Sequence, residues 1–226
     1  MNGPEFHFLK SIDILSGLED KPIQFLAGKM RKKSFKKGEY VFFQGEDVSQ
    51  FYFLEMGRVE IYKSDIDGRK LTLWFIEPKG GFCLANLHIP SAFANAFVVE
   101  DAMAYTIRKK DLNDFVAGYS DVGMRFVHCM SKKMASYSEL LEDMSFKDVT
   151  ARLSKVLLQC SILDEKSGFY VCPLSQGQLA ALVGSCREVI ARSIKKMRGM
   201  GIISTSLDKS HKIVINNPER LKLFSD

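Results

Sequence analysis

PLSQGQLAALVGSCREVIARSIKKMRGM, residues 173–200, reads as two short helices folded around one glycine. Ser175 with Gln178 three residues on forms a capping box, in which side chain and backbone satisfy each other across the first helical turn. Leu179, Ala180, Leu182 and Val183 supply the apolar face of this first helix. Gly184 closes it, because glycine takes the positive φ that helix C-termini favour. Ser185 and Glu188 repeat the capping pattern and open a second helix, with Val189, Ile190, Ile194 and Met197 facing inward. Two short helices joined in this way make a helix-turn-helix, the geometry that sets its second helix into the major groove of DNA.

The polar side of that second helix carries the chemistry for reading bases. Arg187 and Glu188 open it, and Arg192 follows about one turn later. Arginine bonds the O6 and N7 of guanine bidentately, and glutamate accepts from the amino group of cytosine. Glu188 also suits the helix N-terminus electrostatically. Residues 201–205 and 212–215 are short apolar runs flanking a polar turn at Asp208-Lys209-Ser210. That pattern is a basic hairpin, so the module is expected to be a winged helix with Lys209 and Lys212 on phosphates. The expected DNA-contacting set is Ser175, Gln176, Ser185, Arg187, Glu188, Arg192, Lys195, Lys209 and Lys212.

The net charge of +5 is mild but unevenly placed. Between residues 191 and 212 stand Arg192, Lys195, Lys196, Arg198, Lys209 and Lys212 against the single acid Asp208, a basic surface suited to a polyanion. Hydrophobic residues make up 46% and charged residues 26%, the ordinary range of a folded globular chain. No run reaches the roughly 18–20 apolar residues of a membrane span. The first ten residues have no basic start followed by an apolar run, so the cytoplasm is the expected location, with no membrane partner. Five cysteines, Cys83, Cys129, Cys160, Cys172 and Cys186, are dispersed without a C-x-x-C pair, which fits reduced thiols.

Toward the N-terminus the pattern changes twice. Residues 120–144 contain no proline, and Val127, Met130, Met134, Tyr137, Leu141 and Met144 alternate three- and four-residue steps. This narrow seam predicts a long helix that pairs with a second copy of itself. A second helical run follows Phe146, with Val149, Leu153, Val156, Leu157 and Cys160 on one face. Before residue 120, the runs 40–43, 51–54, 59–62 and 71–76 are rich in aromatic and β-branched residues, and 97–99 and 104–107 continue them. Turn signals separate them at Lys37-Gly38, at Gln44-Gly45, at Met56-Gly57-Arg58, at Asp67-Gly68 and at Gly80-Gly81, which predicts a β-sandwich or roll. Residues 22–34 read as a short helix, with Phe25, Leu26 and Met30 at helical spacing.

With these residues in place, the sequence resembles the cyclic-AMP receptor protein/fumarate-nitrate regulator (CRP/FNR) family of transcription regulators over nearly its whole length. The resemblance is carried by Lys37-Gly38-Glu39 leading to Gln44-Gly45-Glu46, Tyr52-Phe53-Leu54 and Gly57-Arg58-Val59. It continues through Asp67-Gly68-Arg69 with Gly80-Gly81-Phe82, through residues 148–153 (DVTARL) at the family's hinge, and through Arg187-Glu188 with Arg192. It implies an α+β chain: an N-terminal β-roll like a cyclic-nucleotide-binding domain (1–119), a long dimerisation helix (120–146) and a C-terminal winged helix-turn-helix (147–226). It further implies a homodimer on double-stranded DNA with an inverted repeat of TGTGA-like half-sites, and RNA polymerase as a further partner.

Departures from the family pattern bear on the effector. Cyclic-nucleotide-binding members follow the second glycine-phenylalanine turn with a Gly-Glu pair and an Arg-Ser/Thr pair. Here residues 82–97, FCLANLHIPSAFANAF, hold neither an acid nor an arginine. A phosphate buried without a cation is poorly compensated, so cyclic AMP is not the expected ligand. The first cysteine is Cys83, far from the N-terminal set of the iron–sulfur members, so no such cluster is expected. Phe82-Cys83 and His88 resemble the haem-binding gas sensors of the family, including the carbon-monoxide sensor, although the histidine lies several residues farther along. Thiolate and imidazole are ordinary ligands of haem iron, the one metal this reading admits. The effector is therefore haem with CO or NO on Cys83 or His88, or else a small apolar or organic-acid molecule; a buried thiol and a surface histidine are the plainer reading of the two residues. His128 and Cys129 rank second. Cys83 and His88 could in principle serve as nucleophile and base, but no orienting carboxylate or oxyanion pocket is identifiable, so an enzyme is not expected. A small-molecule-binding module without DNA function is the other alternative, and the Arg187, Glu188 and Arg192 helix argues against it.

Overall fold

The computed structural model describes residues 3–82, 89, 91–165, 167–206 and 212–225. Contacts divide the chain into two compact units, one built from residues up to 63 with 73–135, the other from 64–72 with 136 onward.

The first unit opens with helices α1 (Pro4–Lys10) and α2 (Asp20–Lys29). Strands β1 (Arg31–Phe35), β2 (Tyr40–Phe42), β3 (Gln50–Ser64), β4 (Lys70–Ile76), β5 (Gly81–Phe82) and β6 (Asn95–Arg108) follow. They form a sheet of order β1-β6-β3-β4, with β2 also on β6 and β5 on β3. Helix α3 (Lys109–Gly118) then leads into the long α4 (Ser120–Phe146), whose residues from 136 belong to the second unit. The core is aromatic: Phe51, Phe53, Tyr105 and Phe115 are all fully buried, each such side chain stabilising the fold by about 1.5–3 kcal/mol.

Two departures from the sequence expectation arise here. The helix expected over 22–34 ends at Lys29, and Arg31–Phe35 pairs antiparallel with β6 from Arg31↔Thr106 to Phe35↔Ala102. Its first four residues are exposed, so this edge strand lacks the alternation that identifies strands. The turn expected at Met56-Gly57-Arg58 is instead a bulge inside one continuous strand, where the β3–β6 register shifts. Gly57 takes φ +84°, and a Cβ there would lie 2.3 Å from the Asp101 carbonyl oxygen, so only glycine lets the strands approach so closely.

The second unit contains α5 (Val149–Cys160), β7 (Ile162–Leu163), β8 (Tyr170–Cys172), α6 (Gln176–Val183), α7 (Arg187–Gly199), β9 (Ile203–Thr205), β10 (Ile213–Ile215) and α8 (Pro218–Leu223). Its sheet runs β7-β8-β10-β9, with Ile213↔Thr205 and Ile215↔Ile203 pairing the two wing strands. Leu153, Leu157, Leu179, Ile190, Met197, Ile202 and Leu221 are fully buried and form its core. An N-terminal sheet domain, a long helix and a C-terminal helix-turn-helix region make this an α+β chain. Among the described residues no helix is long and apolar enough to cross a membrane.

Candidate nucleic-acid interface and ligand cavity

The helix-turn-helix is held at its first helix end by the capping box read from the sequence. The Ser175 hydroxyl accepts from the Gln178 N–H at 3.3 Å, and the Ser175 N–H donates to the Gln178 side chain at 2.9 Å. Gly184 ends α6 in the left-handed region at φ +66°. The second capping box does not form. The Ser185 N–H still bonds the Ala180 carbonyl at 2.9 Å, so Ser185 belongs to the closing turn of α6. Cys186 is the N-cap of α7, without a side-chain bond to the backbone. The Glu188 carboxylate takes its own backbone N–H and the Cys186 thiol, and with Arg187 and Arg192 nearby its pKa is held below the usual range. It is therefore ionised near neutral pH and able to accept.

Behind the turn, Arg152 of α5 joins two elements: its Nε donates to the Val183 carbonyl at 3.0 Å and its Nη1 to the Lys147 carbonyl at 2.7 Å. Asp148 caps α5 through the Ala151 N–H at 2.8 Å. The hinge motif thus has a local role in fixing the end of α6.

Along α7, at about 100° per residue, Arg187, Glu188, Arg192 and Lys195 fall on one side and all four are exposed. Ile190, Ile194 and Met197 occupy the buried side. Ser175 and Gln176 stand at the start of α6 and Ser185 in the turn, while Lys212 is exposed where β10 begins. The Lys212 backbone closes the base of the hairpin on Ser206 at 2.9 and 2.8 Å. Lys209 lies outside the described residues, as do Cys83 and His88. Lys196 and Arg198, also exposed on α7, extend the basic surface.

On α4, Val127, Met134 and Leu141 are 56%, 75% and 66% exposed, an apolar row at seven-residue spacing with no cover among the described residues. Met130, Tyr137 and Met144 are half-buried. Met144 also packs inside its own unit, its Cε lying 2.6 Å from where a Cβ on Gly184 would stand.

Another face of α4 was not singled out in the sequence. Phe126, Cys129 and Lys133 line a cavity of about 440 Å³ together with Phe51, Phe53 and Phe75. The Lys133 ammonium sits 4.6 Å from the Trp74 ring centroid, and burial pushes its pKa below the usual lysine range. A lysine at a seven-residue step from a buried phenylalanine was the available signal, but the opposite wall comes from residues 12–14, from Phe51 and Phe53, and from residues 75–81. His128 is exposed while Cys129 is half-buried, so the two do not assemble as a ligand pair. Among the described residues no group of three or more His, Cys, Asp and Glu side chains is placed to hold a metal ion.

Residues 32–119 match the cyclic nucleotide-binding domain family, and residues 151–224 match the Crp-like helix-turn-helix domain family. The CRP-like cAMP-activated global transcriptional regulator of Mycobacterium tuberculosis is 24% identical over 92% of this chain and 94% of that protein. The c-di-GMP responsive global regulator CLP of Xanthomonas campestris superposes with a TM-score of 0.77 at 19% identity, over 87% of this chain and 99% of that one. A CooA mutant from Carboxydothermus hydrogenoformans superposes with a TM-score of 0.72 at 17% identity, over 88% and 89% of the two chains. At such identities the solved structures establish the fold alone. A cyclic nucleotide-binding domain followed by a Crp-like helix-turn-helix defines a DNA-binding transcription regulator with an effector-binding domain. The chain belongs to the CRP/FNR family of such regulators.

Proposed function

We propose that the chain works as a cytoplasmic, homodimeric, sequence-specific DNA-binding regulator, without catalytic activity, controlled by an effector held in its β-roll unit. The observation that carries this reading is the exposed face of α7, where two arginines and an ionised glutamate stand opposite a buried face of Ile190, Ser193, Ile194 and Met197. In this reading Arg187 and Arg192 take guanines and Glu188 takes a cytosine. Lys195, Lys209 and Lys212 meet phosphates, as do Ser175, Gln176 and Ser185 near the helix N-termini. One such helix per subunit requires an inverted repeat, with TGTGA-like half-sites by family resemblance. RNA polymerase is the further partner in this reading. A gel shift on such a duplex, titrated with salt, tests it. Specific binding is expected to exceed binding to a scrambled duplex by about 10³-fold or more; equal binding at every salt concentration would overturn it.

The effector is not cyclic AMP in this reading. Residues 82–97 offer no arginine for the phosphate and no acid for the ribose. Calorimetry is expected to show no cyclic AMP binding at micromolar concentrations and no stimulation of DNA binding; micromolar affinity would contradict the pocket assignment. Haem is proposed on Cys83 or His88, with Cys129, which lines the described cavity, ranking second. On reconstitution with haem, a Soret band is expected that shifts in His88→Ala or Cys83→Ala. A band unchanged in both variants removes these residues as ligands.

A further inference from the structure

Two cysteines of the second unit fall in one core. Cys172 ends β8 with 0% exposure, and Cys160, the last residue of α5, is half-buried against the same apolar cluster. Strand pairing brings them together from the two ends of one hairpin. The antiparallel partners Ile162↔Val171 and Leu163↔Tyr170 set the register of β7 on β8. One step back along that register residue 161 falls opposite Cys172, and Cys160 is its neighbour. Both are thiols in this structure. The other described cysteines stand elsewhere: Cys129 lines the cavity of the first unit, and Cys186 is the N-cap of α7.

The two thiols differ in what can reach them. Cys160 is open enough to meet a small reagent from solvent, whereas Cys172 has no exposed surface. Burial pushes the Cys172 thiol up to about 11; the Leu174 N–H bonding to its sulfur works against this, and the charge of Cys160 adds to it. A thiol raised in this way is protonated near neutral pH and slow to react by itself. Once Cys160 carries a neutral mixed disulfide in place of a thiolate, the charge opposing a Cys172 thiolate is gone. The order of reaction follows: Cys160 first, Cys172 second.

We propose that Cys160 and Cys172 form a dithiol modification site, which a low-molecular-weight disulfide oxidises to an intramolecular Cys160–Cys172 disulfide. The Cys160 thiolate attacks one sulfur of the small disulfide, forming a mixed disulfide and releasing one small thiolate. Cys172 then loses its proton, and its sulfur attacks Cys160 Sγ and expels the second small thiolate. Two protein thiols are oxidised while one small disulfide is reduced. The two protons, one from each cysteine, end on the two small thiols. The new bond staples the end of α5 to the strand that leads into α6, behind the helix-turn-helix. By restricting the unfolded chain it stabilises the unit against unfolding. This chemistry is independent of whether the unit reads DNA.

The reduced full-length protein is incubated with oxidised glutathione, its remaining thiols are alkylated, and the linked peptides are mapped by tandem mass spectrometry. The expected product joins Cys160 to Cys172 within one chain, releases two reduced glutathiones for each link formed, and reverts with dithiothreitol. Cys172→Ala is expected to trap one glutathione on Cys160, because the second step has no nucleophile. Cys160→Ala is expected to leave Cys172 a thiol, because the core admits no oxidant to it. The map of the unmodified protein stands even if Cys172→Ala, a change in the core, fails to fold. The linked protein is expected to unfold several degrees above the reduced one. A mixed disulfide that persists on Cys160 beside a Cys172 thiol, a link between chains, or no reaction at either cysteine overturns the proposal. A linked protein that unfolds no later than the reduced one overturns the stapling role.

Discussion

Replacing Met134 and Leu141 together by lysine is expected to turn the proposed dimer into monomers and to abolish binding to an inverted repeat. Both side chains are largely solvent-exposed within one chain, at 75% and 66%. The double variant therefore leaves the core of each unit intact and should keep its circular dichroism and its thermal transition. In the proposed seam the same positions face their two-fold mates, so the change introduces four unpaired cations in one apolar strip. An uncompensated buried charge costs about 3–5 kcal/mol, and even one such cost raises the dissociation constant of the proposed dimer by roughly 10²–10⁴-fold. Sedimentation at micromolar concentration checks this directly. A double variant that still sediments as a dimer would show that the Val127–Met134–Leu141 row is not the interface.

The second large effect separates base reading from phosphate anchoring. Arg192→Ala is expected to weaken specific binding by about tenfold to a hundredfold, equivalent to the 1–3 kcal/mol of a bidentate guanine contact, while barely changing affinity for unrelated DNA. Lys212→Ala removes an exposed cation at the base of the wing. It should weaken binding to every sequence by a similar factor and reduce the slope of log affinity against log salt by about one. Neither side chain is buried, so neither change should disturb the fold. Parallel titrations on specific and scrambled duplexes distinguish the two. Identical behaviour of the two variants would mean that Arg192 does not read a base.

What the sequence disclosed and what it hid follow from the range over which each signal is local. Helix α4 was legible because its seam repeats within one element of 27 residues. The helix-turn-helix was legible because Ser175, Gln178 and Gly184 each act on backbone within a few residues of themselves. The second cap was misplaced by one residue because the Ser185 N–H is claimed by Ala180, a bond that depends on how α6 ends. Strand β3 looked like two strands because Gly57 resembles a turn glycine, whereas it is required by the approach of Asp101, distant in sequence. Strand β1 looked helical because four of its five residues are exposed and carry no period. Helices α1 and α3 were not anticipated. The cavity was hidden for the same reason as the bulge: Lys133 reads as one more cation on a helix until residues from three other segments enclose it.

Selection of binding sites from a pool of random duplexes by the purified full-length protein bears most directly on whether α7 reads DNA as one of a symmetric pair. Enrichment of a two-fold inverted repeat, with TGTGA-like half-sites centred about one helical turn apart, is the expected result. Recovery of no motif, or of a single asymmetric half-site, would contradict the assignment of Arg187, Glu188 and Arg192 as the reading face of a homodimer.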